Sequence, residues 1–134
     1  MIYWQNRILT NVRISFGDRC KNVVSTISDI KATFPACAVE VVSNNSVADD
    51  LDIGSDGENA VYCGVAVEIY AKKSLQDSME LVSIANTAMY RMGFKRIQGP
   101  IQVHNASEPD IFHVSTRFAR VIGASETIER FETP

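Results

Sequence analysis

The residues best suited to chemistry in this sequence are the carboxylates of one acidic segment, residues 44–58. The segment reads NNSVADDLDIGSDGE, and it contains no basic side chain. Its acidic residues are Asp49, Asp50, Asp52, Asp56 and Glu58. Carboxylates that alternate with other residues at this density are typical ligands of Ca²⁺. The first hypothesis for the segment is therefore a calcium-binding loop.

The spacing of these carboxylates does not match the EF-hand calcium loop. When Asp52 is taken as position 1, Gly57 is in register at position 6, but position 12 is Cys63 instead of glutamate. When Asp50 is taken as position 1, position 6 is Ser55 instead of glycine. A loop of this length in a small domain is usually functional or mobile. We therefore interpret the segment as a solvated hairpin or docking loop and expect no metal.

Other residue types give no pattern of a catalytic or metal site. His104 and His113 lie nine residues apart across a predicted turn, with no cysteine or acidic partner at ligand spacing. The sequence contains no GxSxG, Walker A, GxGxxG or HExxH motif. We therefore expect neither a cofactor nor enzymatic activity.

Composition is that of an ordinary globular chain. The 134 residues, 46% of them hydrophobic and 22% charged, fit one domain with its own core. The formal net charge of −3 gives no positive footprint for wrapping nucleic acid. Cys20, Cys37 and Cys63 form no CxxC pair and are typical of free thiols in a reducing compartment. The N-terminus does not resemble a signal peptide and no apolar run has the length of a membrane span, so a cytoplasmic protein is expected.

The spacing of apolar residues predicts two helices. Apolar side chains recur at helical spacing over residues 2–16, and Gly17 is a suitable stop. A second helix begins after Ser74, a good N-cap, and runs to Met92. Its apolar arc, which includes Met79, is wider than contact with a sheet alone requires. It could pack on the sheet and on the first helix together, or partly on another subunit.

Period-two alternation over residues 59–71, NAVYCGVAVEIYA, predicts the longest strand. Tyr62 and Tyr70 fall on its outer face. We expect residues 36–43 to form a strand that pairs with it, and residues 21–27 to form an edge strand. The long strand would therefore lie inside the sheet.

Two further strands are predicted in the C-terminal part of the domain. Residues 94–98 begin the first, which Gly99-Pro100 would interrupt before a turn-rich link. Residues 111–122 form the second, and alternation places Arg117 on its face towards solvent or an interface.

Together these elements predict an α+β fold with the order α-β-β-β-α-β-β. A mostly antiparallel sheet of four to five strands would carry two helices packed on one face. Residues 1–123 would form this single domain, and residues 124–134 a polar C-terminal tail.

Four stretches of sequence follow one another in a characteristic order. They are FPACAVEVV (34–42), SDGENAVYCGVAVEIYAKK (55–73), AMYRMGFKRIQGP (88–100) and IFHVSTRFARVI (111–122). In this order and spacing they resemble the tail-completion proteins of long-tailed bacteriophages, a group of tail terminators, head–tail joining proteins and minor capsid proteins. The resemblance extends over the chain to about Gly123.

This resemblance implies a structural function. Members of the group form rings, commonly hexameric, that cap the tail tube and provide the surface to which the DNA-filled head attaches. The expected partners are further copies of the chain, a tail tube protein and a head connector protein, with no membrane. DNA would pass through without specific binding. The expected location is the virion, assembled in the cytoplasm of the host bacterium.

A cyclic ring uses a heterologous interface, in which one patch meets a different patch on the neighbour. The candidate contacts are the five carboxylates of the acidic segment together with Tyr62, Tyr70 and Arg117. The segment suits either a negatively charged lumen or docking on a neighbouring tail protein. A terminator and a head-side connector are both compatible with the resemblance. A stand-alone ferredoxin-like ligand-binding or regulatory domain and a small enzyme are the alternatives.

Overall fold

The computed structural model describes residues 4–26, 33–46, 60–104, 108 and 110–123. These residues form one α+β domain with the predicted order of elements, α-β-β-β-α-β-β, and a short 3₁₀ turn after the first helix. The helices are α1 (Gln5–Phe16) and α2 (Leu75–Arg91). The strands are β1 (Asn22–Val24), β2 (Ala36–Ser46), β3 (Ala60–Ala71), β4 (Lys95–Val103) and β5 (Phe112–Gly123).

The sheet has five strands in the order β1-β2-β3-β5-β4. β2–β3, β3–β5 and β5–β4 pair antiparallel, while β1 pairs with β2 in parallel. The predicted pairing of β2 with β3 is confirmed. β1 lies at an edge as predicted, but it is shorter than residues 21–27, of which Ile27 lies outside the described residues.

Alternation along β3 decides which face of the sheet is covered. The side chains of its odd-numbered residues are at most 2% exposed and join the core beneath the helices: Val61, Cys63, Val65, Val67 and Ile69. Buried residues of α1 and α2 belong to the same core, and α2 packs against both α1 and the sheet. The prediction of two helices on one face is confirmed.

The N-terminus of α2 also follows its sequence prediction. The Asp77 N–H donates to Ser74 Oγ at 3.0 Å, which is the expected N-cap. The assignment of Met79 to the apolar arc was wrong, because its side chain is 36% exposed. Ser78 is buried instead. Its hydroxyl donates to the Phe112 carbonyl at 3.3 Å, so the buried polar group has a hydrogen-bond partner.

The predicted interruption of β4 at Gly99-Pro100 was wrong, because the strand continues to Val103. The register against β5 shifts between Arg96 and Gln98 and again between Gln98 and Ile101. The intervening residues Ile97, Gly99 and Pro100 have no partner position on β5, so the strand continues past them. Pro100 is tolerated because β4 lies at the edge of the sheet and pairs with one strand only. Proline has no N–H, and at an edge no second neighbouring strand requires one.

Gln5 connects α1 to β2 at the point where β1 has ended. β1 pairs with residues 36–38 of β2, so the next main-chain groups of β2 need other partners. Gln5 Nε2 donates to the Val39 carbonyl at 2.7 Å, and the Val41 N–H donates to Gln5 Oε1 at 2.7 Å. The side-chain amide therefore takes the place of a peptide group in a neighbouring strand.

Replacing Gln5 with alanine is expected to lower the free energy of unfolding by about 2–4 kcal/mol, because two main-chain groups of β2 lose their partners. Urea unfolding followed by circular dichroism measures the loss. Thr10→Ala is the control, since Thr10 is exposed and its hydroxyl donates to the Asn6 carbonyl within α1; a change of about 0.5 kcal/mol or less is expected there. Equal changes in the two variants would contradict the role of Gln5.

The cysteines are buried free thiols whose ionisation opposes folding. Burial raises the pKa of Cys20 and of Cys63 to about 11 from 9.0, and it raises the pKa of Cys37 well above 9.0. Between pH 9 and 11 the unfolded chain has therefore lost thiol protons that the folded chain keeps. Stability falls as pH rises in this window.

We expect the free energy of unfolding to be level near pH 8 and to fall above pH 9, by up to about 1.4 kcal/mol per pH unit for each thiol. Urea unfolding at pH 8 to 10.5 measures the slope. Cys37→Ala should be less stable at pH 8 but show a shallower decline. An unchanged slope in this variant would contradict the assignment of the decline to the thiols.

Candidate interaction surface

The face of the sheet opposite the two helices is the candidate functional surface, named here the open face. Even-numbered residues of β3 and odd-numbered residues of β5 form its centre, because these positions pair with each other and alternate with the core positions. From β3 and β5 it contains Tyr62, Gly64, Ala66, Glu68, Tyr70, His113, Ser115, Arg117, Ala119 and Val121.

The middle of the open face is built from small residues. Gly64, Ala66 and Ala119 are neighbours on β3 and β5, and both alanines are at most 6% exposed. A Cβ at Gly64 would run into the Ser43 hydroxyl of β2. The middle of the open face is therefore flanked by the longer side chains of Tyr62, Glu68 and Arg117.

One end of the open face carries a polar cluster that the sequence analysis missed. His113 Nε2 lies 2.8 Å from Glu68 Oε2, and the Ser115 hydroxyl donates to Glu68 Oε1 at 3.0 Å. The side chains of His113 and Glu68 are 16% and 13% exposed. Both carboxylate oxygens thus have partners, as a nearly buried carboxylate requires.

This cluster differs from the relay of a nucleophilic enzyme. In such a relay the histidine lies between the hydroxyl and the carboxylate. Here the carboxylate of Glu68 lies between Ser115 and His113, so the histidine is not positioned to take the serine proton. The geometry fits a cross-strand lock that fixes β3 against β5.

Tyr70 belongs to the same cluster. Its ring stacks on His113 with the centroids 4.2 Å apart, and burial, with the nearby Glu68 charge, raises its pKa to about 12. The residue lies on the outer face as predicted from alternation. Because it is half-buried and stacked, it offers less surface to a partner than a free tyrosine would.

Tyr62 and Arg117 lie on the open face with exposed side chains. Tyr62 is 42% exposed and pairs across the strands with Val121, which is 45% exposed. Arg117 is opposite Ala66, and within the described part of the chain it has no carboxylate at ion-pair distance. Both positions agree with the faces predicted from alternation.

The five candidate carboxylates lie outside the described residues: Asp49, Asp50, Asp52, Asp56 and Glu58. The described residues on either side of them are Ser46, the last of β2, and Ala60, the first of β3. Since Ser46 pairs with Val61, both ends of the acidic segment are anchored at the Tyr62 end of the open face.

A basic corner where β4 begins was also missed. Lys95 pairs with Ala119 and Gln98 with Arg117, so Lys95 and Arg117 share the open face, whereas Arg96 pairs with the core residue Phe118 and belongs to the other side of the β4 edge. Lys95, Arg96 and Arg117 are exposed, as is Ile97 at 59%. We define the basic corner as Lys95, Arg96, Ile97, Arg117 and Val121.

A cavity of about 370 Å³ adjoins the basic corner, and we call it the notch. Its lining includes Gly93, Lys95, Ala119, Arg120 and Val121. The notch exists because the register ends at the pair Lys95 and Ala119, whereas β5 continues to Gly123.

Arg120 fixes the wall of the notch. Its Nη1 donates to the Met92 carbonyl at 2.6 Å, so the guanidinium caps the C-terminus of α2. This contact explains a charged residue at a core-facing position of β5. Gly93 has φ +86, and a Cβ there would lie 2.7 Å from Arg120 Nη1, which makes glycine the suitable residue at this turn.

Among residues 4–26, 33–46, 60–104, 108 and 110–123, no group of three or more histidine, cysteine, aspartate or glutamate side chains is arranged to hold a metal ion. No helix within these ranges is long and apolar enough to cross a membrane.

Comparisons with known proteins do not assign the chain to a family. No protein-family model matches the sequence, and no curated protein shows significant similarity to it.

Proposed function

We propose that this chain is a structural protein of bacteriophage assembly that forms a ring, commonly of six copies in the group it resembles, at the end of the tail tube. The ring caps the tube and joins it to the head, so its partners are a tail tube protein and a head connector protein. The resemblance of four sequence stretches supports this function. The observation in the structure that carries it is the exposed apolar surface of the open face and β4.

The exposed apolar side chains lie on three neighbouring strands. Tyr62 on β3 and Val121 on β5 are 42% and 45% exposed. On β4, Ile97, Ile101 and Val103 are 59%, 45% and 39% exposed. Single exposed apolar residues are ordinary, whereas a group on adjoining strands is typical of a protein interface.

The edge formed by β4 favours a closed assembly over an open-ended sheet. It contains Lys95, Arg96 and Pro100 and two register shifts, the features with which proteins prevent pairing between sheet edges. Copies of this chain would therefore meet through side chains. A patch on β4 and β5 that meets a different patch on the neighbour gives the heterologous contact of a ring.

The charge of the chain supports passage of DNA without specific binding. The net charge of −3 makes the average surface repel a phosphate backbone. Under this proposal the protein acts in the virion and assembles in the cytoplasm of the host.

Light scattering after size-exclusion chromatography tests ring formation. The expected particle has the mass of six chains of 14.8 kDa each, and Val121→Asp should give folded monomers because it places a charge in the apolar contact. A protein that stays monomeric at every concentration and salt would favour the alternative, a stand-alone ferredoxin-like ligand-binding or regulatory domain.

A further inference from the structure

We propose that the basic corner and the notch bind residues 47–58, the part of the acidic segment that follows β2, of the neighbouring copy. This inference rests on the proposed ring and names the contact that joins one copy to the next.

Charge complementarity is the first argument. Lys95, Arg96 and Arg117 are exposed, and none of them has a carboxylate at ion-pair distance among the described residues. Residues 47–58 carry five carboxylates and no basic side chain. The sequence thus supplies an anionic segment of its own for this cationic surface, and several charges acting together gain more than an isolated surface pair.

The apolar residues of both partners also match. In the acidic segment Val47, Leu51 and Ile53 are interspersed with the carboxylates. In the basic corner Ile97 and Val121 are exposed beside the basic side chains. A nucleic-acid backbone would satisfy the charges of the corner but leave these apolar side chains in water, so a protein segment is the better partner.

The notch provides room for an extended chain. β5 continues from Ala119 to Gly123 beyond its last pair with β4, and the notch of about 370 Å³ lies beside this part of the strand. Arg120, bound to the Met92 carbonyl, holds the notch open by fixing the end of α2. A segment that enters here would lie directly beside Lys95.

The proposed ring favours a neighbouring copy over the segment's own corner. The acidic segment leaves the sheet between β2 and β3, where Tyr62 pairs with Val121 of the corner, so the segment's ends and the corner lie at the same end of the sheet. A segment that crosses to the corner of the next chain joins one patch to a different patch on the neighbour. This is the heterologous contact that a ring requires.

Charge exchange between full-length chains tests the inference. The corner variant Lys95→Glu/Arg96→Glu and the segment variant Asp50→Lys/Asp52→Lys should each weaken assembly about tenfold or more, measured by sedimentation velocity. An equimolar mixture of the two should restore the ring, because each corner then meets a segment of opposite charge. The matched control, Lys21→Glu/Lys73→Glu, reverses two exposed lysines elsewhere and should assemble as the parent does.

Each other outcome overturns the inference. If the corner variant and the segment variant both still form rings, the proposed function stands, but the corner and the segment do not form the contact between copies. A third chain carries the corner and the segment substitutions together. If this chain assembles but the mixture of the two single-site variants does not, the segment binds the corner of its own chain. If the parent chain binds a labelled DNA duplex, and the corner variant still forms rings but no longer binds the duplex, the corner is a nucleic-acid contact. A parent chain that never assembles would overturn the proposed ring as well. Thermal unfolding of every variant separates these outcomes from loss of the fold.

Discussion

Replacing Val67 with aspartate is expected to unfold the domain. Val67 is 2% exposed at the centre of β3, where it faces the helices between Val39 and Thr116 of the neighbouring strands. An unpaired carboxylate at such a site costs several kcal/mol in addition to the lost packing, a total of about 5 kcal/mol or more. This equals the whole stability of many domains. Circular dichroism in urea should detect no cooperative transition.

Val121→Asp is the matched control for this prediction. Val121 is a strand valine like Val67, but it lies on the open face and is 45% exposed. Its substitution should lower the free energy of unfolding of the monomer by about 1 kcal/mol or less. Similar losses in the two variants would contradict the assignment of covered and open faces.

Gly99→Ala is expected to cause the second large loss, about 3–5 kcal/mol. Gly99 has φ +88, where a side chain is strained, and an added Cβ would lie 2.5 Å from the Ser115 carbonyl oxygen and 3.2 Å from Thr116 Cα. Main-chain atoms of β5 cannot turn away as a side chain can. The substitution should therefore separate β4 from β5, and hydrogen exchange of the Gln102 amide should accelerate.

Gly64→Ala controls for the addition of a methyl group alone. Its Cβ would meet the Ser43 hydroxyl, a short side chain that can rotate, and Gly64 is not among the positive-φ glycines. The expected loss is about 1.5 kcal/mol or less. If Gly64→Ala were as damaging as Gly99→Ala, the close approach of β4 to β5 would not explain the requirement for glycine.

The main features of the fold were predictable because they follow from local periodicity. Alternation along residues 59–71 identified both the strand and its buried side, since a strand covered on one face must alternate. Ser74 identified the start of α2 because capping depends on residues close in sequence. The continuation of β4 past Pro100 was not predictable, because it depends on an edge position and on register shifts against β5.

The open face was only partly predictable for the same reason. Alternation placed Tyr62 and Arg117 outside, but it could not place one strand against another. The partner of His113 is Glu68, 45 residues earlier and one strand away, so spacing along the sequence does not reveal the pair. Lys95 and Arg117 likewise come together through the register of β4 with β5.

Electron microscopy of negatively stained tail tubes is the most direct test of the central claim, that this chain forms a ring on the tail tube. Tubes assembled from the tail tube protein of the same genome would be incubated with the purified chain over a range of salt concentrations. We predict a ring at one end of the tubes with the parent chain, and bare ends with Val121→Asp. Bare ends with the parent chain at every salt concentration would contradict the proposed function.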